Sequence, residues 1–315
     1  MDDRIAIGVS SCLLGEKVRY DGGHKHDDYV AETLGAYFRY VSVCPEVGCG
    51  MTTPREAIRL EGDPEAPRLM TRISHIDVTE QMLAYCVPQL NELKTADLCG
   101  YILKKDSPSC GLRRVKVYRG SSMVKGGSGI FAAALLRQFP LLPIEEEGRL
   151  NDAKIRENFI ERVFSCKRWQ DFLSEKPTLG GLVAFHTRHK MLLMAHNPPI
   201  YREMGKLVAQ GSSLNFKDLL ANYENMFMKG LASSATVKKH TDVLMHIMGY
   251  FKKALSSPEK AEMLELIGQY KSGTAPLVVP LTLLRHYISK YDQAYLKNQV
   301  YFNPHPGELM LRNHA

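Results

Sequence analysis

Ile5-Ala6-Ile7-Gly8-Val9 is a short apolar run that stops at Ser10-Ser11-Cys12. Two later stretches repeat the arrangement. Tyr40-Val41-Ser42-Val43 leads into Cys44-Pro45-Glu46-Val47-Gly48-Cys49-Gly50, and Tyr101-Ile102-Leu103 leads through Lys104-Lys105-Asp106 into Ser107-Pro108-Ser109-Cys110-Gly111. Short apolar runs bounded by turn residues read as buried strands. In an open α/β sheet, ligands bind in the crevice beyond the carboxyl ends of the strands. Cysteines placed there can converge although they are far apart in sequence. Convergent thiolates point to a metal, a cluster or a redox centre.

Working outward, helix signals separate the strand signals. Val30–Tyr37 is a short helix candidate. Val78–Leu93 reads as a longer one, with Met82, Leu83, Cys86, Leu90 and Leu93 near 3.6-residue spacing. Val115–Tyr118 is a further short strand or edge hairpin, and Gly126-Gly127-Ser128-Gly129 opens an apolar helix over Ile130–Gln138. Strands alternating with helices argue for a parallel sheet covered by helices. Pro140 to Gly148, with two prolines and the acidic run Glu145-Glu146-Glu147, reads as the join to a second region. Beyond it strand signals almost vanish. Asn151 or Asp152 caps a helix through Phe164 or further, and amphipathic stretches follow at about 181–210, 214–230, 235–255, 258–271 and 277–298. The expected fold is an α/β N-terminal domain with an open, mostly parallel, Rossmann-like sheet (residues 1–146), followed by an all-α domain (residues 147–315).

The composition narrows the class of function. No apolar run approaches the roughly 18 residues of a membrane span, so no membrane partner is expected. Met1-Asp2-Asp3-Arg4 enters a strand directly and does not read as a signal peptide. The cytoplasm is the expected compartment, where the seven cysteines stay reduced and serve metals, reactivity or packing. The net charge of +7 is uneven: residues 151–315 carry +8 and residues 1–150 carry −1. A basic helical half is either a solvated surface or a face for a phosphate-bearing partner.

The spacings exclude familiar sites. A C-x₂-C pair is missing, which argues against a zinc ribbon, and so is the C-x₂-C-x₂-C run of ferredoxin loops. A site from Cys12, one of Cys44 or Cys49, and Cys110 offers three thiolates. On a [4Fe–4S] cluster that leaves one iron open to substrate; the same donors also permit zinc with a water. Cys86 on a helix stripe, Cys99 before a strand and Cys166 near a helix end read as packing. Glu46 stands beside the expected crevice, where a carboxylate can act as general acid/base or nucleophile. Ser107 and Ser109 can hydrogen-bond a ligand or close a turn, and Ser10 and Ser11 share that ambiguity. Arg55, Arg59 and the Arg19–Gly23 turn can each meet an anion or pair on the surface. The Gly126–Gly129 run can cradle a phosphate, although a lone glycine loop is a weak signal.

Ser10-Ser11-Cys12-Leu13-Leu14-Gly15, Arg19-Tyr20-Asp21-Gly22-Gly23, Cys44-Pro45-Glu46-Val47, Pro54-Arg55 and Ser107-Pro108-Ser109-Cys110-Gly111 together resemble the thiouracil desulfurase (TudS) family. The helical remainder resembles a domain of unknown function fused to it, as in the RudS-type arrangement. The resemblance implies a [4Fe–4S] cluster on three cysteines with one open iron, and removal of sulfur from a thiolated uracil to give uracil and sulfide. It implies Cys12 and Cys110 as ligands. Cys49 is preferred as the third, because Glu46 then matches the family's catalytic glutamate between two cysteines; Cys44 is the alternative. Ser107 or Ser109 matches a catalytic serine.

The expected substrate is a thiolated uracil base, nucleoside or nucleotide, with the 4-thio form favoured, and tRNA, hence tRNA catabolism, is a further possibility. No net electron transfer is needed, so no nicotinamide or flavin is expected. Two other readings stand beside this one: a nucleotide- or tRNA-binding protein with a structural or sensory cluster, and a zinc-thiolate hydrolase. In the helical half, His186 and His189 lie three apart on a helix and could face one ligand. The ordinary expectation for them is a polar helix face, and for Tyr223, Phe227, Tyr287 and Tyr291 it is core.

Overall fold

The computed structural model describes residues 4–313; Met1–Asp3 of the N-terminal reading lie outside them. Two compact units divide at Asn151 and Asp152. The first contains β1 (Ile5–Ser10), β2 (Phe38–Val43), α1 (Pro45–Gly48), β3 (Ile58–Asp63), β4 (Ala66–Thr71), α2 (Thr79–Lys94), β5 (Gly100–Leu103), β6 (Val115–Arg119), β7 (Ser122–Gly127), α3 (Ile130–Gln138) and β8 (Ile144–Glu146).

β2-β1-β5-β8 form one sheet, parallel at every pairing. All six residues of β1 are buried, as a central strand covered on both faces requires. The register sets Ser10 beside Val43, so Cys12 and Cys44 leave the sheet at the same edge. The chain steps from β1 outward to β2 and later returns to the other side of β1 as β5. That reversal is a topological switch point, where open α/β sheets bind ligands. Cys12, Cys44 and Cys110 all follow strands that meet there.

A second sheet, β4-β3-β6-β7, was not legible in the sequence as a sheet. It is mixed: β3 pairs antiparallel with β4 and parallel with β6, and β6 pairs antiparallel with β7. β3 and β4 are half-exposed and carry Gly62, Asp63 and Pro67, which weaken a strand signal. Leu60, Leu69, Val115 and Val117 provide their buried face.

Residues 140–148, read as the join, lie just before the division at Asn151 and Asp152 and contain a strand. Ile144-Glu145-Glu146 is β8, paired with Tyr101-Ile102-Leu103, and Glu145, Glu146 and Glu147 are all buried. Each carboxylate has an assigned partner. Glu145 accepts from Arg149 Nε (2.8 Å), Glu146 from the N–H of Leu112 (2.8 Å), and Glu147 from the N–H of Lys105 (2.7 Å) and the Lys104 ammonium. An acidic run reads as solvent-facing only when its acceptors lack donors; here the strand and its loops supply them. Since Glu147 ties back to the β5 loop, the first unit runs on to Asn151 and does not end at residue 146.

The second unit is helical: α4 (Ala153–Ser174), α5 (Leu179–His196), α6 (Pro198–Ala209), α7 (Phe216–Ala232), α8 (Val237–Met248), α9 (Ser257–Ser272), α10 (Val278–Lys290) and α11 (Ala294–Lys297). Asp152 caps α4, accepting from the N–H groups of Lys154 (2.9 Å) and Ile155 (3.1 Å). Trp169 is the hub of an aromatic core, stacked on Tyr223 at 5.2 Å and set edge-on to Phe185 at 5.3 Å.

His186 and His189 do not form a polar face. Both are buried in this core, with the His189 ring stacked 4.1 Å from Phe185. Burial pushes His186 down to about 4 and His189 down to about 3, so both are neutral at pH 7. No helix among the described residues is long and apolar enough to cross a membrane.

Candidate functional site

At the carboxyl edge of the parallel sheet lies a cavity of about 310 Å³. Cys12, Cys44 and Cys110 line it, together with Glu46, Arg55, Lys104 and Ser107. Cys12 sits in the 3-10 turn that follows β1. Cys44 is the first residue after β2 and precedes α1. Cys110 closes the turn after β5, where Ser107 Oγ accepts from the N–H groups of Ser109 (3.3 Å) and Cys110 (3.1 Å). Ser10 Oγ accepts from the Lys104 N–H at 3.0 Å and clamps the ends of β1 and β5 together.

The cavity holds Cys44 and leaves Cys49 out. Cys49 follows α1, directs its thiol to the Glu46 carbonyl at 3.2 Å, and packs with Met51 and Tyr85 against the core beneath α2. The reason lies in chain geometry. A residue directly after a strand is fixed by the sheet, whereas one five residues later has been turned away by the intervening helix. That signal was present in the sequence, in the offset of each cysteine from its strand end.

The electrostatics suit a cationic occupant. Burial, and then the neighbouring Cys44 thiol, push Cys12 up to about 11. Burial also raises Cys44, and burial with the Glu46 charge raises Cys110 further. One buried and two half-buried thiols that resist ionisation alone can ionise around a metal, which compensates their charge. The all-sulfur donor set fits a soft iron–sulfur group.

Glu46 is held at the cavity wall. Its Oε1 accepts from Ser109 Oγ at 2.6 Å, and its Oε2 pairs with Arg55 Nη2. Ser109 Oγ lies 2.9 Å from Ser107 Oγ, so the two serines and the carboxylate form one chain. Ser109 is fully buried and Ser107 lines the cavity. Arg59, by contrast, faces away, paired with Glu61 at 2.6 Å. Ser11, in the 3-10 turn after β1, lines the cavity and its Oγ meets Ser42 Oγ of β2 at 2.7 Å.

Packing explains two glycines of the Gly126–Gly129 run. A side chain on Gly127 would strike Val117, and one on Gly129 would strike the backbone of Ser109 and Cys110. Sequence reading did not anticipate Lys104, whose ammonium bonds Glu147 and whose charge acts on Cys12.

Residues 7–147 match the family model described as 2-thiouracil desulfurase. The chain belongs to the 2-thiouracil desulfurase family. Residues 190–306 match a second model, a protein of unknown function (DUF1722), so this member couples the desulfurase-family unit to that helical domain. Two curated relatives each match about half of this chain. The uncharacterized protein YbgA of Escherichia coli (strain K12) is 32% identical over 165 residues, covering 52% of this chain and 98% of the relative. The uncharacterized protein YbbK of Bacillus subtilis (strain 168) is 35% identical over 153 residues, covering 46% of this chain and 98% of the relative. A solved structure described as the [4Fe-4S]-dependent thiouracil desulfidase TudS is 32% identical, covering 47% of this chain and 95% of that one, with a TM-score of 0.39.

Proposed function

We propose that this chain is a [4Fe–4S]-dependent desulfurase that hydrolyses the carbon–sulfur bond of a thiolated uracil, with 4-thiouracil or its nucleoside or nucleotide favoured. The carrying observation is the convergence of Cys12, Cys44, Cys110 and Glu46 on one cavity in a member of this family. The ligand set is Cys12, Cys44 and Cys110; Cys44 replaces Cys49 because only Cys44 lines the cavity. Three soft sulfur donors around one cavity support an iron–sulfur cofactor. The reaction belongs in the cytoplasm, where such thiols stay reduced.

When bound, the cluster supplies an open iron that acts as a soft Lewis acid toward the thiocarbonyl sulfur. The protein's residues do the rest. Glu46 accepts the proton of the attacking water as the new carbon–oxygen bond forms. Ser109 holds Oε1 of that carboxylate by a 2.6 Å hydrogen bond, and Ser107 continues the chain toward the cavity. Water and thiouracil give uracil and hydrogen sulfide, so electrons balance without a redox partner.

The test is anaerobic iron–sulfur reconstitution followed by incubation with 4-thiouracil, 2-thiouracil, 4-thiouridine and its monophosphate, measuring sulfide. Sulfide release that falls about 100-fold in Glu46→Gln, with the visible absorbance of the cluster retained and a residual rate still measurable, is the expected result. A cluster-loaded protein inert toward all four compounds refutes the reading, and full turnover in Glu46→Gln refutes the role of Glu46.

A further inference from the structure

Arg55 is buried at the back of the cavity, its side chain 6% exposed. Both terminal nitrogens of its guanidinium are committed inside the protein, while Nε is buried without a hydrogen-bond partner among the described residues. Nη2 donates to the Val18 carbonyl (2.9 Å) and pairs with Glu46 Oε2; Nη1 donates to the Thr52 carbonyl and to Thr53 Oγ1 (3.2 Å each). The backbone N–H of Arg55 also donates to the Tyr20 carbonyl at 2.8 Å. One side chain therefore joins three segments that wall the cavity: residues 18–20, 44–46 and 52–55.

The carboxylate it touches has few other restraints. Glu46 lies in the single turn of α1, and its side chain is 16% exposed. A glutamate with three rotatable bonds at a cavity mouth samples several rotamers unless both oxygens are tied. Ser109 ties Oε1 and Arg55 ties Oε2. The Val18 carbonyl that accepts from Arg55 also faces the Cys44 thiol at 3.9 Å. The same brace therefore spans the carboxylate and the segment beside a cavity cysteine.

We propose that Arg55 is a positioning residue for the desulfurase reaction: it fixes the Glu46 carboxylate toward the cavity and acts on turnover only through Glu46. This rests on the desulfurase reading and on the base role given to Glu46. A planar fork with several donors suits the task; a lysine brings the charge but can reach only part of the set.

The experiment compares Arg55→Ala and Arg55→Lys with wild type, each alone and combined with Glu46→Gln, after anaerobic reconstitution. Iron content, cluster absorbance, thermal unfolding, kcat and KM for 4-thiouracil are measured together. In Arg55→Ala, kcat is expected to fall about 100-fold, with KM within about threefold and iron content at the wild-type level. Arg55→Lys recovers part of kcat, as does added guanidinium with Arg55→Ala. In the Glu46→Gln background, Arg55→Ala is expected to cause no further loss, since residues acting as one unit are non-additive.

Wild-type kcat in Arg55→Ala overturns the proposal, and so does an undiminished additional loss in the Glu46→Gln background. A kcat loss that tracks lost iron or a lowered melting temperature in both Arg55 variants also overturns it, because Arg55 is then only structural. Full turnover in Glu46→Gln, whatever Arg55 does, would instead sink the underlying reading of Glu46.

Discussion

Gly129 separates backbone packing from phosphate binding as the reason for the glycine run, and it does so at the candidate site itself. Its backbone angles, φ −61° and ψ 149°, are open to alanine, so Gly129→Ala adds steric pressure without conformational strain. The new Cβ would sit 2.5 Å from the Ser109 carbonyl carbon and 2.8 Å from the Cys110 nitrogen, against ordinary contact at 3.4 Å or more. The Ser109 carbonyl oxygen is nearer still, so the Ser109–Cys110 backbone must retreat by about 1 Å.

That displacement moves the serine bonded to Glu46 and a cavity cysteine at once. Overpacking of this kind costs about 1–3 kcal/mol of stability, and a shift near 1 Å in a catalytic constellation costs about 100-fold in rate. Gly126→Ala is the matched control, because its Cβ would meet only Val124 at 3.8 Å. Urea unfolding, iron content and sulfide release from 4-thiouracil are measured on both reconstituted variants. Gly129→Ala is expected to lose stability and turnover while Gly126→Ala keeps both. Wild-type stability and turnover in Gly129→Ala would refute the packing argument; loss in Gly126→Ala alone would return the run to ligand binding.

Three further outcomes follow from the fold. Gly8→Ala places a methyl group on the wholly buried Tyr101 ring, which Phe131 hems in at 6.1 Å, and is expected to cost about 1–3 kcal/mol; an unchanged urea midpoint would contradict the tight β1–β5 packing. Glu147→Gln leaves the half-buried Lys104 ammonium without its carboxylate and is expected to lower stability by about 2 kcal/mol, which a change below about 0.5 kcal/mol in urea unfolding would refute. His189 is neutral in the fold, with burial holding it down to about 3, while the unfolded chain takes up a proton below about 6.5. Its contribution is full above pH 6.5 and is lost as pH falls toward 3, so the stability difference between wild type and His189→Gln should shrink by about 1.4 kcal/mol per pH unit in that window; a pH-independent difference would show that His189 does not titrate as a buried neutral ring.

The sequence carried the parallel sheet because β1, β2 and β5 are short apolar runs that stop at chemically distinctive loops. It carried the helical half because 3.6-residue periodicity survives even where the surface is basic. It did not carry β3 and β4, whose buried residues Leu60 and Leu69 are isolated among polar neighbours. Nor did it carry β8, since acidic residues resemble a linker until the donors of Leu112, Lys105 and Arg149 are brought to them. At the site, residue types were legible but side-chain direction was not. Cys44 and Cys49 share one short loop and differ in space because one helical turn lies between them. His186 and His189 kept a helical spacing, yet Phe185 and Tyr223 enclose them.

The most direct measurement is iron content and sulfide release from 4-thiouracil in wild type and in the four single variants Cys12→Ala, Cys44→Ala, Cys49→Ala and Cys110→Ala, all reconstituted anaerobically in parallel. The expected result is about four irons per chain in wild type, with cluster and turnover lost from the Cys12, Cys44 and Cys110 variants and kept in Cys49→Ala. Loss in Cys49→Ala with an intact, active Cys44→Ala would contradict the ligand set, and a fully loaded wild type that releases no sulfide would contradict the desulfurase itself.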